Sequence, residues 1–239
     1  MPARRACALL VGLLLAPLTA AAQSAGQVTH VSGAFMATAP NGSSRILAPN
    51  SAVNEGDTLS TATNAYARVK FSDGGEVTLR PGTQLQIEAY RFQERQPQGD
   101  SFVMNLLRGG LRSVTGLLGK RRPESYRMNT PVATIGIRGT HYGALFCQGN
   151  CAGLGAGGST PKDGLHVDVA EGAVALTNQG GQTVLTQGSF GYVPSVQAPP
   201  QQVPPSQGIT VTAPVSSAKP GAIPVSASGS SPLTEDCIP

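Results

Sequence analysis

Reactive side chains are concentrated between residues 141 and 151, where His141 precedes Cys147 and Cys151. A cysteine beside a histidine can form a nucleophile–base pair, and His141 or the more distant His166 could act as the base. The second cysteine favours a disulfide instead. Only three residues separate the two cysteines, and their Gln-Gly-Asn loop can adopt the geometry of the bond. We therefore predict a Cys147–Cys151 disulfide and no catalytic residue.

Metal and cofactor chemistry have little support in the sequence. The histidines His30, His141 and His166 are scattered, and a two-cysteine metal site would need a second ligand pair at suitable spacing. The sequence contains no Gly-x-Ser-x-Gly elbow, His-Glu-x-x-His pair or phosphate-binding loop. We expect no cofactor, no metal site and no enzymatic activity.

Positive charge is concentrated in one segment. The whole chain has 17 Lys and Arg against 13 Asp and Glu, a net charge of +4, but residues 108–138 hold seven cations and a single acid, Glu124. Such a segment is commonly a solvated loop, and it can also bind an acidic protein surface or an acidic envelope glycan. The candidate contacts are Arg121, Arg122 and Arg138. Nucleic acid is not expected, because no aromatic residues are interleaved with these cations.

The last of these arginines lies between two apolar, β-branched runs, Val132–Ile137 and Tyr142–Phe146. Such runs are typical of strands, and Gly136 and Gly139 can adopt backbone angles that other residues avoid. We predict a tight turn or corner here, with both glycines as structural turn residues. Arg138 at its tip either contacts a partner or hydrogen-bonds carbonyl groups of the corner.

The preceding chain predicts the β-sheet that holds this corner. Polar and apolar residues alternate in Ala65–Phe71, Glu76–Arg80 and Gln84–Tyr90, which is the pattern of strands with one wet face. Turn signals recur about every ten residues, and residues 116–124 predict a loop or one helical turn. We predict an all-β domain over residues 23–193, built of stacked short strands in a β-solenoid or sandwich-like arrangement.

Both ends of the chain differ from this domain. Arg4, Arg5 and the apolar run Ala8–Leu18 precede small residues, which predicts a cleaved signal peptide over residues 1–22 and a periplasmic or extracellular protein. Ten of the 19 prolines lie in residues 194–239, so we predict a disordered tail rich in Pro, Ser and Gln. Its Cys237 would be a free thiol or an intermolecular link.

Several short motifs, taken in order, resemble the FecR domain family. They are Val31-Ser32-Gly33, Gly56-Asp57-Thr58, Phe71-Ser72-Asp73-Gly74, Arg108-Gly109-Gly110 and Thr130-Pro131-Val132-Ala133-Thr134-Ile135-Gly136-Ile137-Arg138-Gly139-Thr140. The resemblance implies an exported, β-rich domain. Well-known family members span the inner membrane, sense a loaded outer-membrane transporter and control a sigma factor. We expect this sequence to differ, because its N-terminus is predicted to be a signal peptide and no later stretch is predicted to span a membrane.

We therefore expect a stand-alone, non-catalytic binding module for a periplasmic protein or an envelope glycan, with signalling as one setting. One alternative is a structural or assembly protein of the cell envelope, cross-linked through Cys237. A second is an enzyme acting on envelope polysaccharide. Oligomeric state and partner identity do not follow from the sequence.

Overall fold

The computed structural model describes residues 24–211, which form fifteen β-strands and one α-helix. The strands are β1 Ser24–Ser32, β2 Phe35–Thr38, β3 Ser44–Ile46, β4 Ala52–Asn54, β5 Thr58–Thr61, β6 Tyr66–Phe71, β7 Glu76–Leu79, β8 Gln84–Arg91, β9 Ser101–Val114, β10 Tyr126–Asn129, β11 Thr134–Cys147, β12 Gly164–Asn178, β13 Gly181–Thr186, β14 Phe190–Val193 and β15 Gln201–Val203. Helix α1 spans Leu117–Arg121, and short 3₁₀ turns occupy Pro97–Gly99, Pro123–Ser125 and Ala156–Gly158. The predicted signal peptide and Cys237 lie outside the described residues.

Alternating side chains build the core and confirm the all-β prediction. In β6 every second residue, ending at Phe71, is buried, and β7 and the first half of β8 repeat this pattern. The ring of Phe102 lies 4.6 Å from that of Phe71, 5.0 Å from Tyr90 and 5.3 Å from Tyr126. Strands β6 and β8 do not pair with each other, so these rings join two strands face to face. Each such ring pair contributes about 0.5–1.5 kcal/mol beyond its buried area.

Strand β9 is the centre of the sheet, because it pairs with four other strands. Its first half pairs with β8 and, in parallel, with β10, whereas its second half pairs with β7 and β11. The change of partner occurs at Gly109, whose φ is +79°. A single strand that bends there can therefore serve two parts of one hydrogen-bonded network.

The predicted turn at Gly139 is instead a β-bulge inside the continuous strand β11. Gly139 and Thr140 together face Gly172 of β12, and the two glycines have φ values of +56° and +78°. A Cβ on Gly172 would lie 2.5 Å from the carbonyl oxygen of Gly139, so no larger residue fits. The prediction of a tight turn is wrong, because a bulge bends a strand without ending it. Gly136, predicted as a second turn residue, has no positive φ and is an ordinary strand residue.

Residues 194–211 belong to the fold, although the sequence predicted disorder from Pro194. Strand β15 pairs with β14, and the side chains of Ile209 and Val211 are buried. The backbone N–H of Val211 donates to Asp168 at 2.8 Å, and its carbonyl oxygen accepts from Arg112 at 2.7 Å. The disorder prediction is wrong for this segment, because these long-range contacts offset its unfavourable composition. Residues 212–239 lie outside the described part.

Between residues 24 and 211, no helix is both long enough and apolar enough to cross a membrane.

Candidate partner-binding groove

An open groove of about 1040 Å³ runs over the outer face of β11, β12 and β13 and is bordered by α1 and β10. We call it the basic groove. Its lining includes Lys120, Glu124, Arg127, Gly136, Arg138, Ala173, Ala175 and Val184.

The floor of the basic groove consists of small side chains. Across the β11–β12 ladder, Gly136 faces Ala175 and Arg138 faces Ala173, and Ala175 pairs in turn with Val184 of β13. A Cβ on Gly136 would lie 3.9 Å from the carbonyl oxygen of Ala175, an ordinary contact distance. Val184 is 58% exposed. The middle of the floor is therefore an apolar strip that another chain can reach, and Thr134, Thr177 and Gln182 line the groove beside it.

Three cations border this strip. Lys120, Arg127 and Arg138 are all exposed, and none of them forms an ion pair within residues 24–211. The acid in the same lining, Glu124, is already paired with Arg122 at 2.9 Å. The groove thus presents uncompensated positive charge beside apolar surface.

Asp73 positions the helix that carries Lys120. Its backbone carbonyl accepts from the N–H of Leu117 at 2.9 Å, and its carboxylate accepts from the N–H of Leu118 at 3.2 Å. A Cβ on Gly116 would lie 2.4 Å from the same carboxylate, so glycine is required where the chain enters α1. The Asp-Gly motif seen in the sequence therefore holds one wall of the basic groove.

Tyr126 positions the neighbouring Arg127. Its hydroxyl lies 2.9 Å from that of Tyr142 and 3.2 Å from that of Ser113. Burial raises the pKa of Tyr126 to about 12, so this hydroxyl stays neutral. With Tyr126 anchored inward, the alternation of β10 directs Arg127 outward into the groove.

Arg121, predicted as a partner contact, instead forms its contacts within the domain. Its guanidinium pairs with Asp100 at 2.6 Å and also donates to the carbonyl oxygens of Gln93 and Glu94. The carboxylate of Asp100 is fully buried, and the guanidinium lies 4.8 Å from the ring centre of Phe92. Arg121 therefore anchors the loop between β8 and β9.

The other two predicted contacts differ from each other. Arg122 is held by Glu124 at the edge of the groove. Arg138 lines the groove, and its guanidinium forms no hydrogen bond within residues 24–211, so the alternative of bonds to corner carbonyls is not observed. Lys120 and Arg127 were not singled out from the sequence. The strand pattern of residues 126–129, with Tyr126 inward, is the signal that could have identified Arg127.

The predicted disulfide is confirmed, with 5.5 Å between the Cα atoms of Cys147 and Cys151. His141 is also engaged, because its Nε2 accepts from Arg112 Nε at 2.7 Å. Burial and the charge of Arg112 lower the pKa of His141. His166 stacks on the ring of Tyr192, and burial lowers its pKa. Within residues 24–211, no three His, Cys, Asp or Glu side chains are grouped so that they could hold a metal ion.

Comparison with known proteins identifies one family. The sequence profile described as FecR protein matches residues 57–175, which include α1, β10 and most of the basic groove. No curated protein has a significant sequence match to the chain. Two crystal structures of a candidate anti-sigma factor from Parabacteroides distasonis ATCC 8503 are similar in fold, with a TM-score of 0.44 and 14% identity. Each alignment covers 64% of this chain and 60% of the solved chain.

Proposed function

We propose that this protein, whose residues 57–175 form a FecR-family domain, is a non-catalytic regulatory module that binds an acidic surface of a partner protein in the basic groove. The observation that carries the proposal is the set of three exposed cations, Lys120, Arg127 and Arg138, around an apolar floor. The signal-peptide pattern of residues 1–22 supports a partner in the periplasm or outside the cell.

The chemistry of the groove favours a protein partner over an acidic glycan. Protein interfaces combine an apolar centre with a polar rim, and here Ala173, Ala175 and Val184 form such a centre within a rim of cations. The small floor residues leave room for a side chain or a strand of the partner. A glycan would gain from the rim and from Thr134, Thr177 and Gln182, but its hydroxyl groups over the alanine and valine side chains would find no hydrogen-bond partner.

The exposed charges determine how binding should respond to salt concentration. Exposed cations around a groove attract an acidic partner over distance and raise its association rate. Salt screens such exposed charges, with a Debye length of about 8 Å at physiological ionic strength. Binding should therefore weaken steeply with added salt, mainly through slower association.

Capture experiments with purified variants test the proposal. Arg127→Glu/Arg138→Glu reverses the rim, and Gly136→Val fills the floor without backbone strain, since Gly136 has ordinary strand geometry. Both should fold normally and lose a partner that the unmodified protein captures from envelope extract. Lys70→Glu on β6, outside the groove lining, is the matched control for a charge reversal and should retain it.

Equal capture by all of these proteins would refute the groove as the contact surface. A captured component that is destroyed by glycosidases and survives proteases would refute a protein partner.

A further inference from the structure

A second cavity of about 400 Å³ is lined by the disulfide loop and the bend of β9. Its walls come from the turn before β8, the bend of β9, the C-terminal end of β11 and the loop closed by Cys151. They include the apolar side chains Tyr66, Leu145 and Leu154 and the cations Arg80 and Arg108, without any Asp or Glu.

The two arginines give this cavity an uncompensated charge. Nε of Arg108 donates to the carbonyl oxygen of Gly82 at 3.2 Å, which holds the side chain at the rim. Neither Arg80 nor Arg108 forms an ion pair within residues 24–211. Guanidinium groups favour carboxylates as partners, so the cavity suits an acidic peptide that also carries apolar side chains.

The chain itself leaves the described part beside this cavity. Val211 packs in one apolar cluster with Leu145 and Cys151, and Leu154 packs against the same cluster. Leu145, Cys151 and Leu154 also line the cavity. The two backbone hydrogen bonds of Val211 to Arg112 and Asp168 fix this exit point.

The sequence beyond Val211 contains a segment of matching chemistry. After Glu171, the only acidic residues in the chain are the adjacent Glu235 and Asp236, and Leu233 and Ile238 flank them. We propose that Leu233–Ile238 binds in this cavity, with the two carboxylates on Arg80 and Arg108 and the apolar side chains against Leu145 and Leu154. The cavity is then a binding site for acidic, apolar peptide segments, and its occupant is part of the same chain.

Tethering makes such binding feasible even if the contacts are weak. For a random coil of 23 residues, the number between Val211 and Glu235, the root-mean-square span is about 27 Å. A tether of that span would give the segment an effective concentration on the order of millimolar near the cavity.

A paramagnetic label on Cys237 tests this site. Cys147 and Cys151 are joined, so Cys237 is the only free thiol once residues 1–22 are removed. In isotope-labelled full chain, the label should strongly reduce the backbone amide signals of Tyr66, Arg108 and Leu154. Reduction of the label should restore them, and 0.5 M salt should weaken the effect.

Matched variants separate docking from chance proximity. The signal loss should disappear in each of two double variants, Glu235→Gln/Asp236→Gln and Arg80→Gln/Arg108→Gln. The control variant Lys219→Gln removes the remaining charged side chain beyond Val211 and should leave the signal loss unchanged. The inference is overturned if the signals stay intact in the unmodified chain, if both double variants keep the loss, or if the loss arises only between molecules in a mixture of isotope-labelled and spin-labelled chains. These outcomes do not depend on the basic groove, whose residues are unchanged.

Discussion

Removing the guanidinium of Arg121 should destabilise the domain far more than a surface charge change would. Arg121→Ala leaves Asp100, whose carboxylate has no solvent exposure, buried without its cation. Deleting one partner of a buried ion pair costs about 3–5 kcal/mol, because the remaining charge is neither solvated nor paired.

The surrounding contacts place the cost at the lower end of that range. Oδ1 of Asp100 keeps its hydrogen bond from the N–H of Gln93 at 3.0 Å, so only Oδ2 loses its donors. The carbonyl oxygens of Gln93 and Glu94 belong to exposed residues, where water replaces the lost donor. Loss of the contact with Phe92 adds about 0.5–1 kcal/mol. We expect about 3.5–4 kcal/mol in total.

Urea unfolding followed by circular dichroism measures this cost. Arg122→Ala is the matched control, because its pair with the exposed Glu124 should be worth about 0–1 kcal/mol. Adding Asp100→Asn to Arg121→Ala removes the buried charge and should recover part of the loss. If Arg121→Ala cost no more than Arg122→Ala, the reasoning that Arg121 is an internal anchor would be refuted.

Two further predictions concern the bulge and the histidines. Gly172→Ala should cost at least about 2 kcal/mol, because its Cβ would collide with the Gly139 carbonyl at 2.5 Å. Thermal unfolding measures this cost. The control is Gly149→Ala, which should cost less because Gly149 also has a positive φ but has open space around it. His141 and His166 have pKa values lowered from 6.5 in the fold, so the unfolded chain takes up protons first as the pH falls. Their contribution to stability is complete above pH 6.5 and is lost on acidification. The double variant His141→Gln/His166→Gln should therefore show a weaker dependence of the unfolding midpoint on pH between pH 7 and pH 5. An unchanged dependence would contradict this.

Local patterns were sufficient to predict most strands. Alternation in Ala65–Phe71 and Gln84–Tyr90 predicted β6 and β8 nearly to their ends. The cysteine spacing predicted the disulfide, since the two residues are close in sequence. Each of these features depends on residues that lie within a few positions of each other in the sequence, so a local sequence pattern is enough to predict it.

Features that depend on distant residues were missed. Gly139 signals a positive φ equally well in a turn and in a bulge, and only pairing with Gly172 of β12 decides between them. Arg121 resembled a solvated charge because its partner, Asp100, is 21 positions away. The basic groove combines residues of α1, β10 and β11, so its floor at Gly136 could not be recognised before the strands were paired.

The docking of Val211 has a consequence for how the chain folds. Its carbonyl oxygen is bonded to Arg112, 99 positions earlier, and its side chain covers Gly143, where even a Cβ would not fit beneath it. During synthesis, β9 and β11 emerge long before the segment that covers their outer face. Topologies dominated by such distant contacts fold slowly, so the nascent chain exposes Leu145 and its neighbours until residue 211 arrives. A chain shortened to Val193 would keep this apolar patch permanently and should aggregate.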